Sequence, residues 1–491
     1  MERLDVLIVG AGLSGIDAAY WISKGKAHRR WAIFEARDAI GGTWDLFRYP
    51  GLRSDSDMAT LGFPFRPWTG DRSIAAGADI RDYIRDTAAE YGIDRGIRLK
   101  HRVTAADWSS ADAVWTVTYE AAGDVRQVAC RFLFLCSGYY DYAAGHAPTW
   151  PGMATFAGQI VHPQFWPNAL TIADRRIVVI GSGATAVTLV PALAEMGAAH
   201  VTMVQRSPTY IVSRPSRDMH AQTMRRWLPA RAAGAAIRWK NILYGSFVYT
   251  MARRKPHVVK LKIAQHQRAM LGPDFDIETH LTPRYDPWDQ RLCLVPDGDL
   301  FKVLRKGQAS IVTDEVAAFE PGGLRLASGG VVEADIVVTA TGLKVQLMGG
   351  ARITVDGEVV DPGRRLLYKG AMLDGVPNLA FAIGYTNASW TLKCDLTSQF
   401  VRRLLDHMAA RGATSVVPVA PAAPTDEPPI LDLTSGYVQR AAALLPRQGA
   451  RAPWRVQQNY VQDLWALRTG QMDDGVLRFS YARTTPTGVA V

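Results

Sequence analysis

Cysteine is scarce. Four occur in 491 residues (Cys130, Cys136, Cys293 and Cys394), and no two are spaced as CxxC. A zinc cluster or a dithiol redox centre needs such spacing, so neither is expected and no metal site is assigned. Long apolar runs are also missing: nothing approaches the ~18 consecutive apolar residues of a membrane span. The opening Met1–Asp5 passes straight into a strand-like run, with no charged segment, apolar segment and small-residue cleavage site. No secretory leader and a cytoplasmic location are therefore expected. Acidic residues are absent between Met219 and Pro273, a stretch holding eleven Lys and Arg, which exceeds the net charge of +10. No nucleic-acid reading module accompanies them, so a solvated helical face and no nucleic-acid partner are expected. Trp227, Trp239, Tyr244, Phe247 and Tyr249 are interleaved with these charges, a pattern that also allows weak association with an anionic membrane surface.

What is present is ordinary globular usage, 48% hydrophobic and 21% charged, over about three domain equivalents. One unit occurs twice. Val6-Leu7-Ile8-Val9 reads as a buried strand, Gly10-Ala11-Gly12-Leu13-Ser14-Gly15 as a turn into an apolar helix, and Ala32-Ile33-Phe34-Glu35 as the next strand. Ile177–Ile180, Gly181-Ser182-Gly183-Ala184-Thr185-Ala186 and Val201–Arg206 repeat the pattern. Phe132–Gly138 and Asp335–Gly342 are strands ending in glycine, each able to close one unit. This predicts an α/β protein with two nested Rossmann-like domains and a helical insertion. The first is expected at 1–150 and 345–491, the second at 168–344 with the insert at about 217–283, joined by linkers near Phe156–Pro167 and Gly342–Gly349. An antiparallel excursion is expected near Trp115–Tyr119, a proline-rich surface linker at Val417–Pro429, and a peripheral wrap over the last sixty residues. Pocket shape is expected to depend on the insert and on this wrap.

The glycine turns carry a mechanism. Gly10 permits the tight turn, Gly12 lets backbone approach a pyrophosphate, and Gly15 lets the helix pack close; the helix N-terminus then faces the anion. Glu35, twenty residues beyond Gly15, is placed to accept ribose hydroxyls. In the second turn Ala186 takes the third glycine slot, which the fingerprint allows, and Arg206 stands where the first copy has Glu35. A guanidinium pairs with a 2′-phosphate that a carboxylate would repel, and Ser207 adds a hydroxyl, so the second site is expected to favour NADPH over NADH. Two dinucleotide sites imply two cofactors that exchange electrons, FAD and NADPH. Disulfide reductases share that arrangement but need a redox-active cysteine pair, which this chain lacks; the acceptor is then molecular oxygen or a diffusible molecule.

Phe156-Ala157-Gly158-Gln159-Ile160-Val161-His162-Pro163-Gln164-Phe165-Trp166-Pro167 fits an FxGxxxHxxxWP pattern, and Gly41-Gly42-Thr43-Trp44 with Tyr49-Pro50-Gly51 and Asp55 fits a second. On these motifs the chain resembles the flavin-dependent Baeyer–Villiger monooxygenases; the related flavin-containing N/S-monooxygenases usually lack the Trp-Pro ending. Arg48–Asp55, Trp288–Leu292 and Tyr385–Trp390 resemble the subgroup that includes the ethionamide-activating monooxygenase. The resemblance implies insertion of oxygen into ketones through a flavin C4a-peroxide, giving esters or lactones, with sulfoxidation of thioethers or thioamides as a second activity. It implies that Gly10, Gly12, Ser14, Gly15, Glu35, Thr43, Trp44, Asp45, Leu46 and Val103 bind FAD. Ser182, Gly183, Ala184, Thr185, Ala186, Val187, Thr188, Arg206 and Ser207 would bind NADPH, with Arg53 and Ser54 along the nicotinamide end. Arg291 matches the catalytic arginine, which Asp55, beside the flavin, would hold by a charge-assisted pair. Gln290 departs from the lysine many such enzymes carry before that arginine, which softens the NADPH preference. His162 is expected to orient the two nucleotide domains, and Asn387 and Ser389 either to cap a helix starting near Trp390 or to leave its end facing the flavin.

Overall fold

The computed structural model describes residues 1–421, 428, 430–431 and 434–481. Two sheets organise it, one mixed and one parallel. The first is nine-stranded. Its parallel centre runs Ile97–Arg98, Trp31–Phe34, Glu2–Val9 and Asp124–Leu135, with Leu379–Phe381 beside the last. Strand Glu2–Val9 is apolar on both faces, as a strand covered on both sides must be. Val6 and Ile8 enter one core with helices Leu13–Ser23 and Trp390–Arg411; Leu7 and Val9 enter the other with Trp108, Trp115 and Val117. The expected antiparallel excursion is present: Arg102–Ser109 and Val114–Ala121 pair with each other and then with Asp124–Leu135.

The second sheet is parallel throughout, in the order Ala309–Thr313, His200–Gln205, Arg176–Ile180, Ile336–Thr339 and Gln159–Val161. Helix Ala184–Glu195 covers one face through Leu189, Val190 and Leu193; Phe319 and Leu324 cover the other. Both glycine-ended strands close their units, Asp124–Leu135 against Glu2–Val9 and Ile336–Thr339 against Arg176–Ile180. Strand Gln159–Val161, in a stretch expected to be a linker, is hydrogen-bonded into this sheet. Trp166 packs on its core. His162 sits at the junction, its ring against Gly145 and its Nδ1 accepting from the Gln164 N–H at 3.2 Å.

The insert is helical as expected, over Met219–Trp227, Ala230–Arg254, Pro256–Leu271 and Ile277–Leu281. Its charges are used inside the fold. Buried Arg238 donates to the carbonyls of Ala59 (2.9 Å) and Gly62 (2.7 Å), and Arg225 to that of Trp68 (2.7 Å). Arg253 pairs with Asp289 and Lys260 with Asp286, both at 2.6 Å; Lys240 pairs with Asp218 and Arg268 with Glu278. The expected membrane-binding face gains no support, since six of the eleven cations are engaged by protein groups. Trp239 packs on Tyr460, and no helix among the described residues is long and apolar enough to cross a membrane.

Two expectations for the C-terminal part also change. Val417 and Pro418 end a strand, Ala413–Pro418, that pairs with Leu477–Tyr481, so the proline-rich linker starts later; Pro424 and Pro429 lie outside the described residues. Nor is the remainder peripheral. Asp463 on helix Tyr460–Arg468 is buried, accepting from Lys393 Nζ at 2.8 Å and from the Tyr385 hydroxyl at 2.6 Å.

Candidate active site

The two glycine turns are built alike. The Gly10 N–H donates to the Phe34 carbonyl and the Gly181 N–H to that of Val204, each at 2.8 Å. Both glycines have positive φ, +104° and +135°, and a Cβ would lie 2.7 Å from the Cys136 carbonyl oxygen on Gly10 and 2.4 Å from that of Ala340 on Gly181. Only glycine fits such a position. The helices that follow start at Leu13 and Ala184; neither has a side-chain cap nor an acidic residue in its first turn. Their first N–H groups and positive dipole ends are thus open to an anion. A third helix, Trp390–Arg411, is also uncapped, and the Ser389 hydroxyl and Asn387 Oδ1 are buried without a partner. These two residues are therefore not an ordinary cap.

All three helix ends open on one cavity of about 1060 Å³ between the two sheets. Gly10, Gly12, Ser14, Glu35, Thr43, Trp44, Arg53, Ser54, Asp55 and Val103 line it from the first half. Ser182, Gly183, Ala184, Thr185, Thr188, Arg206, Ser207 and Arg291 line it from the second. Glu35 is buried at its strand end, accepting from the Ala11 N–H at 2.7 Å and the Arg37 N–H at 2.9 Å, which leaves lone pairs for a ribose. Burial pushes its carboxyl above the usual range, while the Ala11 and Arg37 N–H groups favour the ionised form. Arg206 and Ser207 are exposed at the mouth of the second turn, where the Ser182 hydroxyl donates to the Ser207 carbonyl at 3.0 Å. Gly51 joins the halves: a Cβ there would lie 2.8 Å from the Thr188 carbonyl oxygen.

Comparison with known proteins matches these parts. The chain matches the NAD(P)-binding Rossmann-like domain family over residues 8–69 and the flavin-binding monooxygenase-like family over residues 65–234. It is 52% identical over 488 residues to the FAD-containing monooxygenase EthA of Mycobacterium tuberculosis, covering 99% of this chain and 100% of that protein. The chain belongs to the FAD-containing monooxygenases. A probable FAD-binding monooxygenase, AlmA of Acinetobacter baylyi, is 46% identical over 97% of this chain and 96% of its own length. Among solved structures, a steroid monooxygenase bound to NADP (TM-score 0.75, 21% identity, 98% of this chain and 100% of that chain) shares the fold. So does cyclohexanone monooxygenase (TM-score 0.75, 19% identity, with the same coverage of 98% and 100%).

In this FAD-containing monooxygenase the residues present fit a dinucleotide at each turn: a glycine cradle that a Cβ would fill, and an open helix end. Five of the anticipated cofactor residues stand behind the cavity wall. Gly15 lets the helix sit on the turn, since a Cβ would lie 1.8 Å from the Gly10 carbonyl oxygen. Ala186 and Val187 are fully buried in the second core. Buried Asp45 accepts from Arg37 at 2.6 Å, Arg48 at 2.7 Å and Arg85 at 2.8 Å, and with Leu46 holds the short helix Thr43–Leu46. Arg53 is committed to Asp299 at 2.5 Å, across the two halves.

The anticipated Asp55–Arg291 pair does not form. Asp55 is exposed, and no ion pair links it to Arg291 among the described residues. The loop before Arg291 is fixed instead through Asp289, which takes Arg253 at 2.6 Å and the Asp286 N–H at 3.0 Å on its carboxylate, and the Thr434 N–H at 2.9 Å on its carbonyl. Tyr139, Tyr140 and Tyr437 line the same cavity as Arg291, and burial pushes all three phenols above the ordinary tyrosine value, so they stand there uncharged. The cavity is also lined by Tyr142, whose hydroxyl meets Thr43 Oγ1 at 3.1 Å. None of these tyrosines was anticipated. Tyr139-Tyr140-Asp141-Tyr142 directly after the strand-ending Gly138 is a signal the sequence does carry; Tyr437 has no local one. The helical insert contributes nothing to the lining, whereas the C-terminal segment supplies Ser435, Gly436, Tyr437 and Arg440.

Proposed function

We propose that this chain is an NADPH- and oxygen-dependent monooxygenase that converts ketones to esters or lactones and also oxygenates thioethers or thioamides. The carrying observation is Arg291: a cation in the cavity wall, with no ion pair among the described residues, in the same cavity as two open dinucleotide turns. The proposed arrangement puts FAD on the first turn, against Gly10–Ser14, Glu35 and Thr43–Trp44, in a unit made of residues 1–150 and 345–491. NADPH lies on the second, against Ser182–Thr185, Thr188, Arg206 and Ser207, in a unit of residues 168–344. When bound, FAD supplies two-electron oxygen chemistry and NADPH the hydride that recharges it. The protein's part is orientation and charge. Arg291 stabilises negative charge that develops on oxygen at the reacting centre, in a cavity that Tyr139, Tyr140 and Trp390 also line. The four buried free thiols suit a reducing cytoplasm.

The test offers FAD-loaded enzyme a linear methyl ketone and an aryl methyl sulfide together, with NADPH and isotopically labelled oxygen gas. Mass spectrometry should find one labelled atom in the ester and one in the sulfoxide. Sulfoxide without ester would move the chain to N/S-oxygenation.

A further inference from the structure

Two units that exchange a hydride have to be held in register. Their dinucleotides must meet at contact distance, and about 1 Å of misplacement costs on the order of a hundredfold in rate. One short segment of the first unit, Tyr49–Asp55, reaches across. Tyr49 packs on the core of the second sheet, and Gly51 lies against the Thr188 carbonyl of helix Ala184–Glu195. Arg53 then meets Asp299, Nη1 to Oδ2 at 2.5 Å and Nη2 to Oδ1 at 3.4 Å, with the two side chains only 13% and 21% exposed. Both partners are stiffly mounted. The backbone on either side of Arg53 is pinned to the first unit: the Leu52 carbonyl accepts from the Gly77 N–H at 2.7 Å, and the Ser54 N–H donates to the Ala75 carbonyl at 3.1 Å. Asp299 opens helix Asp299–Arg305, whose Leu300, Phe301, Val303 and Leu304 are buried in the second core, and its Oδ1 also accepts the Leu300 N–H at 2.8 Å. Arg291 stands shortly before Asp299 in the chain, joined to it through strand Cys293–Pro296.

The geometry points to Arg53 and Asp299 as a clasp between the units: it sets where the second glycine turn and Arg291 stand relative to the first turn, and so positions NADPH against FAD. Apolar packing alone lets two surfaces slide. A forked, partly buried ion pair fixes one register, because either charge without the other is left uncompensated. Arg53 is then a positioning residue, not a contact for the nicotinamide end. The assignment rests on the proposed placement of NADPH on the second turn, from which one hydride reduces FAD and leaves NADP+.

The first readout needs no turnover. Spin labels are placed on FAD-loaded full-length protein at exposed Ala111→Cys in the first unit and Ala199→Cys in the second, the four native cysteines being buried. Pulsed electron resonance then measures the distance between the units. Arg53→Ala and Asp299→Ala should each shift or broaden that distance, and a distribution identical to the parent's in both overturns the proposal. The second readout is anaerobic reduction of the bound flavin by NADPH, followed in the visible spectrum over a range of NADPH concentrations. Each single variant should lower the limiting rate about tenfold to a hundredfold with little change in Kd for NADPH. Arg53→Ala/Asp299→Ala should be about as slow as either single variant, because the two act through one interaction. Slowing by the product of the two single effects overturns the clasp, as does a raised Kd confined to Arg53→Ala, which would make Arg53 a direct nucleotide contact. If Arg53→Ala does not retain FAD, Asp299→Asn is read by the same distance and rate criteria. Failure of NADPH to reduce even the parent protein would strike the placement of NADPH, while the distance measurement still decides the clasp.

Discussion

Arg206 is the residue on which cofactor choice turns. It is exposed at the end of strand His200–Gln205, with no ion pair among the described residues, where the first unit has buried Glu35. Arg206→Glu should raise KM for NADPH about tenfold or more and change KM for NADH little, read by initial rates with each nucleotide. His162, packed against Gly145 at the junction, carries a prediction about stability. Burial lowers it from the ordinary 6.5, so the folded state favours the neutral ring. The unfolded chain then binds the proton more readily, and stability present above about pH 6.5 is lost as pH falls through the folded value. Thermal melts between neutral pH and pH 5 should show this loss, and His162→Gln should flatten the slope. Most residues that line the cavity from the two glycine turns were legible at this scale, because backbone turns need glycine and anions need particular donors. Asp55 and Arg291 line one cavity without an ion pair between them among the described residues, because sequence shows which charges exist, not how they meet. Asp289 fixes the loop before Arg291 through Arg253 and the Asp286 N–H.

At the scale of elements, the two strand–turn–helix units invite a paired test. Gly15 sits where a Cβ would lie 1.8 Å from the Gly10 carbonyl oxygen, whereas the second helix already carries Ala186 at the matching place. Gly15→Ala must push its helix off the turn, and purified protein should lack FAD in the visible absorption spectrum. Ala186→Gly should keep NADPH binding and cost only about 1 kcal/mol in denaturant melts, as for glycine inside a helix. These units were readable because strand, glycine turn and helix follow one another within a short stretch, so local pattern and tertiary contact coincide. Strand Gln159–Val161 was not: three residues of an edge strand inside a motif carry no period of their own.

At the scale of the whole molecule, the cavity is closed by segments far apart in sequence. The C-terminal part reaches it through Tyr437 and is anchored by Asp463 on buried Lys393 and Tyr385. Removing one partner of a buried pair leaves the other uncompensated, so Asp463→Ala should cost about 3–5 kcal/mol in denaturant melts and lower oxygen transfer more than FAD content. Sequence alone placed this part at the periphery, because nothing local marks a residue that lands on a distant cavity wall. The same holds for the insert, whose unbalanced charge suggested an outward partner but is in part engaged by carbonyls and carboxylates of the fold. The proposed reaction rests on Arg291, a cation with no ion pair among the described residues. Its most direct test is labelled-oxygen product analysis of wild type beside Arg291→Ala, both matched for FAD content. Wild type should give singly labelled ester, and Arg291→Ala should give it about a hundredfold to a thousandfold more slowly while still oxidising NADPH. Labelled ester at the wild-type rate from Arg291→Ala would contradict the account.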